Sequence, residues 1–339
     1  MKVLSIYGKE DMRIEQLDKP KCIPNHAVIR MKACGICGSD LTAYRGVNPT
    51  MKYPIVGIGH EGVGEIVELL DIENTHFKIG DRVVLEPYVP CLSCPMCEAG
   101  RLNNCENLKV CGVHKDGMMA EYFLHPLHLL YKIPDEMNYE TATLIEPFTI
   151  GLHAITRSNL GKGENCVIFG AGTIGLLTAI GARIYGANPI IVDLIPKRLE
   201  KAKKLGITNV INSGSEDVVE RLKELCGGKL PEVLLECTGA QPVLQNIHEY
   251  VAHGGRISLV GWPHDKVPIN QIRIMQKELT VYASRNSNKK FQESMDYISK
   301  KLLPTEEFIT EVITLDQVEH IIKKMIEEPD NYTKVITLI

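Results

Sequence analysis

The sequence lacks a marked excess of charge of either sign. Its 339 residues include 38 Lys and Arg against 42 Asp and Glu, which gives a formal net charge of -4. A protein that binds nucleic acid or an anionic membrane usually carries a basic face or a polybasic segment. We therefore expect neither nucleic acid nor a membrane as a partner, and a small molecule as the substrate.

Long apolar runs are also missing. The least polar stretch, residues 172–187, is rich in glycine, is interrupted by Arg183 and is too short to cross a bilayer. The apolar run near the N-terminus is too short for a secretory signal. We therefore expect a cytoplasmic protein, and 339 residues are enough for two domains with separate cores.

The pattern of apolar residues changes near Gly161. Before it, short alternating runs are typical of a β-rich fold, at residues 27–33, 63–69 and 82–85. After it, predicted strands alternate with predicted helices, in the order 166–169, 173–185, 189–192, 197–205, 233–236, 243–251 and 256–260. This alternation predicts parallel βαβ units in a doubly wound sheet. A last strand is predicted at residues 334–339.

A glycine-rich turn follows the first of these later strands. Residues 169–175 read Phe-Gly-Ala-Gly-Thr-Ile-Gly and contain a G-x-G-x-x-G run, which includes Ile174, between a strand and a helix. Gly170 would permit the tight turn, Gly172 would let a pyrophosphate approach the backbone, and Gly175 would let the helix pack closely on the strand. The helix N-terminus would supply N–H groups to the phosphates. The run predicts a dinucleotide site, against the alternative of ordinary turn glycines.

An acidic residue ends the next predicted strand. Asp193 lies eighteen residues after Gly175, where a carboxylate would accept hydrogen bonds from the adenosine ribose. A 2′-phosphate would be repelled there, so NAD is favoured over NADP. Arg198 follows within one helical turn, where it could flank the ribose or adenine or relax this preference.

Four of the eleven cysteines are clustered in a loop-like segment. Cys91, Cys94, Cys97 and Cys105 have the spacing of a tetrahedral, structural zinc site without an open position. An iron–sulfur cluster is the main alternative. A nucleic-acid-binding finger is disfavoured, because Arg101 is the only basic residue between the first and last of these cysteines.

A second set of metal-ligating residues is spread over three segments. Cys37 and His60 with Glu61 lie in glycine-rich turns, and Glu146 precedes a proline. Thiolate, imidazole and carboxylate donors that leave one position open are typical of a catalytic zinc. Glu146 either ligates this zinc directly or holds a zinc-bound water. Each residue alone is more often structural, so the prediction depends on the whole set.

Together these segments identify the chain as a member of the zinc-containing medium-chain dehydrogenases. Gly-Ile-Cys-Gly-Ser-Asp, Gly-His-Glu, the four cysteines, Glu-Pro and the glycine fingerprint occur in the family's order, and the resemblance covers nearly the whole chain. It implies a GroES-like catalytic domain at residues 1–149, completed by residues 286–339. It also implies a Rossmann NAD-binding domain at residues 150–285, two zinc ions, NAD, and a homodimer or homotetramer.

The resemblance also assigns residues near the end of the cofactor domain. Gly261, Trp262 and Ser284 correspond to positions that bind the nicotinamide, and Arg285 and Asn286 to positions that contact the substrate. An arginine there can pair with a substrate carboxylate in bidentate fashion. Alternatively, Arg285 binds the cofactor or tethers a loop.

Within the family, the chain resembles the sorbitol and threonine dehydrogenase branch, in which Glu146 replaces a ligand cysteine. It is more similar still to the bacterial hexonate 5-dehydrogenases that act on L-galactonate and L-gulonate. It departs from the branch at Thr42, where a proton-relaying histidine is common, and at Ala43, where sorbitol dehydrogenase has a tyrosine. These departures make a plain sorbitol or threonine assignment less suitable.

The resemblance implies reversible oxidation of a secondary alcohol to a ketone, with zinc as a Lewis acid and NAD as the hydride acceptor. Ser39 is the nearest candidate to take the hydroxyl proton, and Glu146 would assist through the zinc-bound water. A zinc-free quinone reductase is disfavoured by the two metal sets. The non-enzyme alternative is an NAD-binding sensor on the same scaffold.

Overall fold

A computed structural model of the chain describes residues 1–48, 50–70 and 75–339. These residues form two compact units. The first contains Met1–Glu146 and Phe291–Ile339, and the second contains Pro147–Lys290. Among the described residues, the structure contains no helix that is long and apolar enough to cross a membrane.

The elements alternate along the chain in three stretches. The first stretch contains β1 Lys2–Gly8, β2 Asp11–Gln16, β3 His26–Gly35, α1 Gly38–Tyr44, β4 Glu61–Leu69, β5 Arg82–Leu85, β6 Tyr88–Val89, α2 Pro95–Glu98, β7 Lys109–Val110, β8 Tyr122–Pro126, β9 Leu130–Lys132, α3 Tyr139–Ala142 and α4 Ile145–Arg157. The second contains β10 Asn165–Phe169, α5 Thr173–Ile184, β11 Asn188–Asp193, α6 Pro196–Lys204, β12 Val210–Asn212, α7 Val218–Leu225, β13 Val233–Glu236, α8 Gln241–Asn246, β14 Arg256–Leu259, α9 Gln271–Gln276 and β15 Thr280–Ala283. The third contains α10 Phe291–Ser299, α11 Thr305–Phe308, β16 Ile309–Thr314, α12 Val318–Glu327 and β17 Lys334–Leu338.

The first unit is built on a mixed sheet with the order β16-β17-β3-β4-β5-β9, to which β8 is added by pairing with β3. Strand β3 is its centre, because it pairs antiparallel with β4, β8 and β17. The register places Gly35 of β3 opposite Glu61 of β4 on one side and opposite Ile336 of β17 on the other. The end of β3 therefore brings three distant segments together.

The second unit is built on a parallel sheet with the order β12-β11-β10-β13-β14-β15, and every residue of its strands is described. Counted from β10 as the first strand, this is the 3-2-1-4-5-6 order of the doubly wound fold. The order reverses between β10 and β13, and ligands of such sheets bind at the carboxyl ends of the strands at this point. The centre is fully buried, with Val167, Ile168, Leu234 and Leu235 at 0% exposure, because a parallel sheet is covered on both faces.

The predicted fold class is confirmed, and the strand predicted at residues 82–85 coincides with β5. The helix predicted at residues 243–251 is wrong in its bounds. The α-helix begins at Gln241, with Pro242 in its first turn, and gives way to a 3-10 turn at Ile247–Glu249. Proline without an N–H suits the first turn of a helix, and this start signal was missed. The edge strand β15 and the helix α4, which carries Glu146, were not predicted either.

Candidate active site

Cys37, His60 and Glu61 lie together in the first unit. One ligand atom from each falls within 4.8 Å of the others. Cys37 precedes α1 directly after β3, and Glu61 is the first residue of β4. Gly59 has a φ of 93°, a conformation that glycine adopts without strain, and it turns the chain just before His60. The irregular backbone expected next to the His-Glu pair is therefore present.

The segment before His60 is held by backbone contacts. Met118 N donates to Gly59 O at 3.0 Å, and Met119 N donates to Ile58 O at 2.8 Å. A Cβ on Gly117 would lie 2.0 Å from Gly57 O. The approach is thus too close for any side chain at this position, and the loop around residue 117 fixes the turn that carries His60.

These three residues fit a catalytic metal ion. They offer sulfur, nitrogen and oxygen donors, and three protein ligands leave one position open for a substrate. The Nδ1 atom of His60 is buried and has no hydrogen-bond partner among the described residues. Burial lowers the pKa of His60, but Cys37, Glu146 and Asp40 raise it above its ordinary value overall. Negative groups therefore converge here, where a divalent cation would compensate them.

Asp40 and Ser39 lie in the first turn of α1. Asp40 is buried, and its Oδ2 accepts a hydrogen bond from the Cys37 N–H at 2.8 Å. It orients the ligand cysteine, a role that the sequence interpretation missed. The Oγ atom of Ser39 is buried without a partner among the described residues. Thr42 donates to the Ser39 carbonyl at 2.9 Å, and Ala43 is fully buried.

Glu146 does not belong to the group of three ligand atoms. It is buried at the start of α4, and the Tyr88 hydroxyl donates to its Oε1. Burial, and then the neighbouring Glu61, raise the pKa of Glu146 to about 7 against the lowering effect of His60. The geometry favours a place beside the metal ion over direct ligation. Tyr88 was not predicted, because nothing in its local sequence indicates this contact.

A buried lysine from the last strand contacts Glu61. Lys334 Nζ lies 2.7 Å from both carboxylate oxygens of Glu61 and donates to Ile36 O at 3.0 Å. Burial lowers the pKa of Lys334, but Glu61, Cys37 and Glu146 raise it above its ordinary value overall, so the amine is an ammonium. The two partners are 273 residues apart in sequence, and the sequence interpretation did not find this pair.

The four-cysteine lobe also assembles as predicted. Ligand atoms of Cys91, Cys94, Cys97 and Cys105 fall within 4.8 Å of one another. The Sγ atoms of Cys94 and Cys97 are 3.5 Å apart, near the roughly 3.8 Å expected from Zn–S bonds of about 2.3 Å in a tetrahedron. Four thiolates fill a tetrahedral site, which suits a structural ion.

In the second unit, the glycine turn connects β10 to α5. Gly170 has a φ of 97°, and a Cβ on Gly175 would lie 1.8 Å from Gly170 O. The close packing expected of Gly175 is therefore required. Gly172 caps α5, and a Cβ there would meet no described atom within 4 Å. Ile174 lies in the first turn of the same helix.

Asp193 ties the glycine turn to the end of β11. Its Oδ2 accepts from Ala171 N at 2.7 Å and its Oδ1 from Ile195 N at 2.9 Å. Arg198 Nη1 lies 3.9 Å from the same Oδ2. Each carboxylate oxygen keeps a further lone pair, so the group can still accept hydrogen bonds from a ribose.

A third turn, at the ends of β13 and β14, contains Gly261 and Trp262. The buried Glu236 carboxylate accepts from Thr238 N at 2.8 Å and from Gly239 N at 3.0 Å. A Cβ on Gly261 would lie 2.2 Å from Gly239 N. Trp262 is 69% exposed beside this contact. Glu236 thus shapes the turn, a role that was not predicted.

The predicted substrate segment follows β15. Ser284 is buried, and its Oγ has no hydrogen-bond partner among the described residues. Arg285 is half-buried, and Asn286 has a φ of 52°. The structure therefore keeps these three residues contiguous at the end of the second unit, beyond the edge strand of its sheet.

Two family models match the chain. The alcohol dehydrogenase GroES-like domain matches residues 23–135, and the zinc-binding dehydrogenase model matches residues 173–300. The solved structure of an alcohol dehydrogenase (RspB) from Escherichia coli CFT073 in complex with NADH is 31% identical, with a TM-score of 0.92 over 100% of this chain and 99% of that chain.

Three curated relatives bracket the substrate question. An uncharacterized zinc-type alcohol dehydrogenase-like protein from Haemophilus influenzae is 40% identical over 99% of this chain and 98% of its own length. A sorbitol dehydrogenase from Bacillus subtilis is 32% identical, covering 99% and 96%. An L-galactonate-5-dehydrogenase from Escherichia coli is 35% identical, covering 85% and 84%.

We expect Cys97→Ser to remove the structural metal ion alone. One of four thiolates is lost, while Cys37, His60 and Glu61 are untouched. Elemental analysis should give two zinc ions per wild-type chain and one per variant chain, with reduced thermal stability because the lobe loses its cross-link.

Cys226→Ser is the matched control, because Cys226 lies outside both cysteine-containing groups and should leave two zinc ions bound. Iron with a visible absorption band in the wild-type protein would contradict the prediction and support the iron–sulfur alternative.

Proposed function

Because the chain belongs to the zinc-type medium-chain alcohol dehydrogenase family, we propose that it oxidises a secondary alcohol of a sugar acid or polyol to a ketone with NAD. L-gulonate or L-galactonate, oxidised at carbon 5, is the proposed substrate. The chain is an oxidoreductase of the polyol and sugar-alcohol dehydrogenase type. The observation that carries the proposal is the convergence of Cys37, His60 and Glu61 within 4.8 Å.

The residues of the first unit suit distinct tasks in this reaction. When bound, zinc supplies a Lewis acid for the alcohol oxygen and NAD supplies the hydride acceptor. Cys37, His60 and Glu61 would hold the zinc. Ser39, whose buried Oγ has no partner among the described residues, would take the hydroxyl proton. Glu146, with a pKa of about 7, would hold or release a proton beside the metal ion.

The residues of the second unit suit the cofactor. Gly170, Gly172, Ile174 and Gly175 form the turn in which the pyrophosphate would contact backbone N–H groups at the start of α5. Asp193 would accept from the ribose hydroxyls, with Arg198 beside it. We further assign Gly261, Trp262 and Ser284 to the nicotinamide.

Two arguments support a carboxylate-bearing substrate over a neutral polyol. Arg285 offers a planar cation that can bind a carboxylate in bidentate fashion, and Asn286 adjoins it as a second polar group. Thr42 and Ala43 replace the relay histidine and the substrate-contacting tyrosine of the sorbitol branch. Identity alone does not decide, because the sorbitol and L-galactonate dehydrogenases are 32% and 35% identical. A sorbitol- or threonine-type activity is the alternative.

We also propose a cytoplasmic homo-oligomer, a dimer or tetramer, with residues 1–149 and 286–339 as the catalytic domain and residues 150–285 as the cofactor domain. The edge strand β15 supports an oligomer. Its residues Thr280, Val281 and Ala283 are exposed, and it lacks the charges and prolines that usually protect a sheet edge. The preceding helix adds exposed apolar side chains, Ile272 at 69% and Met275 at 73%. A second copy pairing antiparallel along this edge would cover them.

We expect Asp193→Asn to weaken NADH binding about tenfold, which corresponds to about 1.4 kcal/mol, and to strengthen NADPH binding. The change removes the charge that attracts ribose hydroxyls and repels a 2′-phosphate. Trp262 is the only tryptophan, so quenching of its emission gives both dissociation constants. Glu220→Gln, on the exposed face of α7, is the control. An unchanged NADH-to-NADPH ratio in Asp193→Asn would contradict the role of Asp193.

The substrate is tested by NADH formation with L-gulonate, L-galactonate, sorbitol and L-threonine. We expect the highest kcat/KM for one of the hexonates. Arg285→Ala should raise KM for that hexonate about 10- to 100-fold, since a hydrogen bond to a charged group contributes about 1.5–3 kcal/mol. KM for sorbitol should hardly change, and Arg285→Lys should retain part of the preference.

Equal shifts for hexonates and sorbitol would mean that Arg285 binds the cofactor or tethers its loop. A silent panel, from a protein that holds two zinc ions and binds NADH, would instead support the NAD-binding sensor.

We expect Val281→Lys to shift the sedimentation-equilibrium mass to that of the monomer, because a lysine on each copy would place like charges along the shared edge. Val312→Lys is the matched control, on the edge strand β16 of the other sheet, where Val312 is 45% exposed. If Val281→Lys leaves the wild-type mass unchanged, β15 is not the contact.

A further inference from the structure

A buried ion pair joins the last strand of the chain to the candidate metal site. The side chains of Lys334 and Glu61 are 3% and 1% exposed. The ammonium has three N–H groups, and three acceptor atoms lie within 3.0 Å of it, namely both oxygens of Glu61 and Ile36 O. It thus contacts a ligand residue directly, and it also contacts the residue before the ligand Cys37.

The strand register explains how Lys334 reaches both segments. Strand β17 pairs antiparallel with β3, with Ile336 opposite Gly35. Ile36 N donates to Val335 O at 2.9 Å, so the pairing continues and brings Lys334 to the level of Cys37. On the other side of β3, Glu61 pairs with Gly35. Lys334 and Glu61 are therefore on the two neighbours of β3 and meet across its end.

Gly35 provides the space for this contact. A Cβ on Gly35 would lie 1.9 Å from Glu61 Oε2 and 3.1 Å from its Cδ. Gly35 has a negative φ, so it is not required for a left-handed turn. Its missing side chain is needed because the Glu61 carboxylate lies over its Cα. Any larger residue would displace the carboxylate from Lys334.

The contact is compatible with metal ligation by Glu61. A carboxylate offers about four lone-pair positions, and Lys334 occupies only part of them. Carboxylates that ligate metals are generally hydrogen-bonded to a second protein group, which fixes their orientation. A buried carboxylate without such a partner would be strongly destabilising. Lys334 therefore supplies the positive partner that Glu61 needs both before and after a metal ion binds.

We propose that Lys334 is a positioning residue of the metal site, which holds the Glu61 carboxylate over Gly35 so that its free lone pairs face Cys37 and His60. The inference rests on the proposed function, because it takes these three residues as the ligands. It makes the last strand part of the site, although the ligands themselves lie within residues 37–61. The site is then already formed when the metal ion arrives.

The test is the zinc affinity of Lys334→Met, measured by titration with a competing chelator. Loss of an outer partner of a ligand typically lowers metal affinity 10- to 100-fold. We expect the variant to lose one zinc ion per chain at a chelator concentration at which the wild-type protein keeps two. The zinc of the four-cysteine lobe should remain bound. In the cobalt-substituted variant, the d–d absorption bands should shift, because the orientation of the Glu61 ligand changes.

Lys334→Arg keeps a cation at the same place and should restore part of the affinity. Lys32→Met is the matched control, because Lys32 also pairs with a glutamate on this sheet, Glu65 at 3.9 Å, but belongs to neither ligand group. It should keep both zinc ions. Should Lys334→Met fail to fold, Gly35→Ala decides, since it leaves Lys334 in place and displaces Glu61. It should lower the affinity of the same zinc ion.

Wild-type zinc affinity and an unchanged cobalt spectrum in Lys334→Met would overturn the proposal, as would wild-type affinity in Gly35→Ala if Lys334→Met does not fold. The failure of the proposed function is different. A wild-type protein that binds only the zinc ion of the four-cysteine lobe would refute the catalytic site itself, whatever the variants do.

Discussion

The candidate site depends on one strand pairing, in which Gly35 of β3 lies opposite Glu61 of β4. Cys37 and His60 are 23 residues apart in sequence, and this pairing brings their ligand atoms within 4.8 Å. The same strand pairs with β17 on its other side, which adds Lys334. A slip of one residue in the β3–β4 register would turn Glu61 to the other face of the sheet. The chemistry of the site is therefore fixed by backbone hydrogen bonds before any metal ion is bound.

The features that the sequence predicted well are local. The segment from residue 166 to 175 contains a strand, a glycine turn and a helix start in one continuous stretch, and each glycine has a steric reason that can be read without the rest of the fold. Gly175 is the clearest case, with its missing side chain filled by Gly170 O. The four cysteines are similar, because their spacing within one loop already suits a tetrahedral ion.

The features that the sequence did not reveal depend on contacts between distant segments. Lys334 has no local signal, since a lysine at the start of a strand is usually exposed, and only the register of β17 shows that it is buried. Tyr88 and Glu236 are similar, because their partners are decided by the fold. The 3-10 turn at Ile247–Glu249 escaped for another reason: its apolar spacing resembles a continuing helix. Periodicity predicts the existence of an element better than its end.

The charges of the site bear on the substrate. Cys37, Glu61, Glu146 and Asp40 are acidic groups around His60, and Lys334 is the cation among them. A divalent ion would balance much of this negative charge, and an alcohol could then approach as a neutral group. A hexonate brings a further negative charge, which has no compensating partner in the ligand set and must be kept away from Glu146. A carboxylate at the opposite end of the substrate from the reacting carbon meets that requirement only if a separate cation binds it, which is the role that we propose for Arg285. The reaction class thus follows from the metal ligands, whereas the substrate class depends on that one arginine.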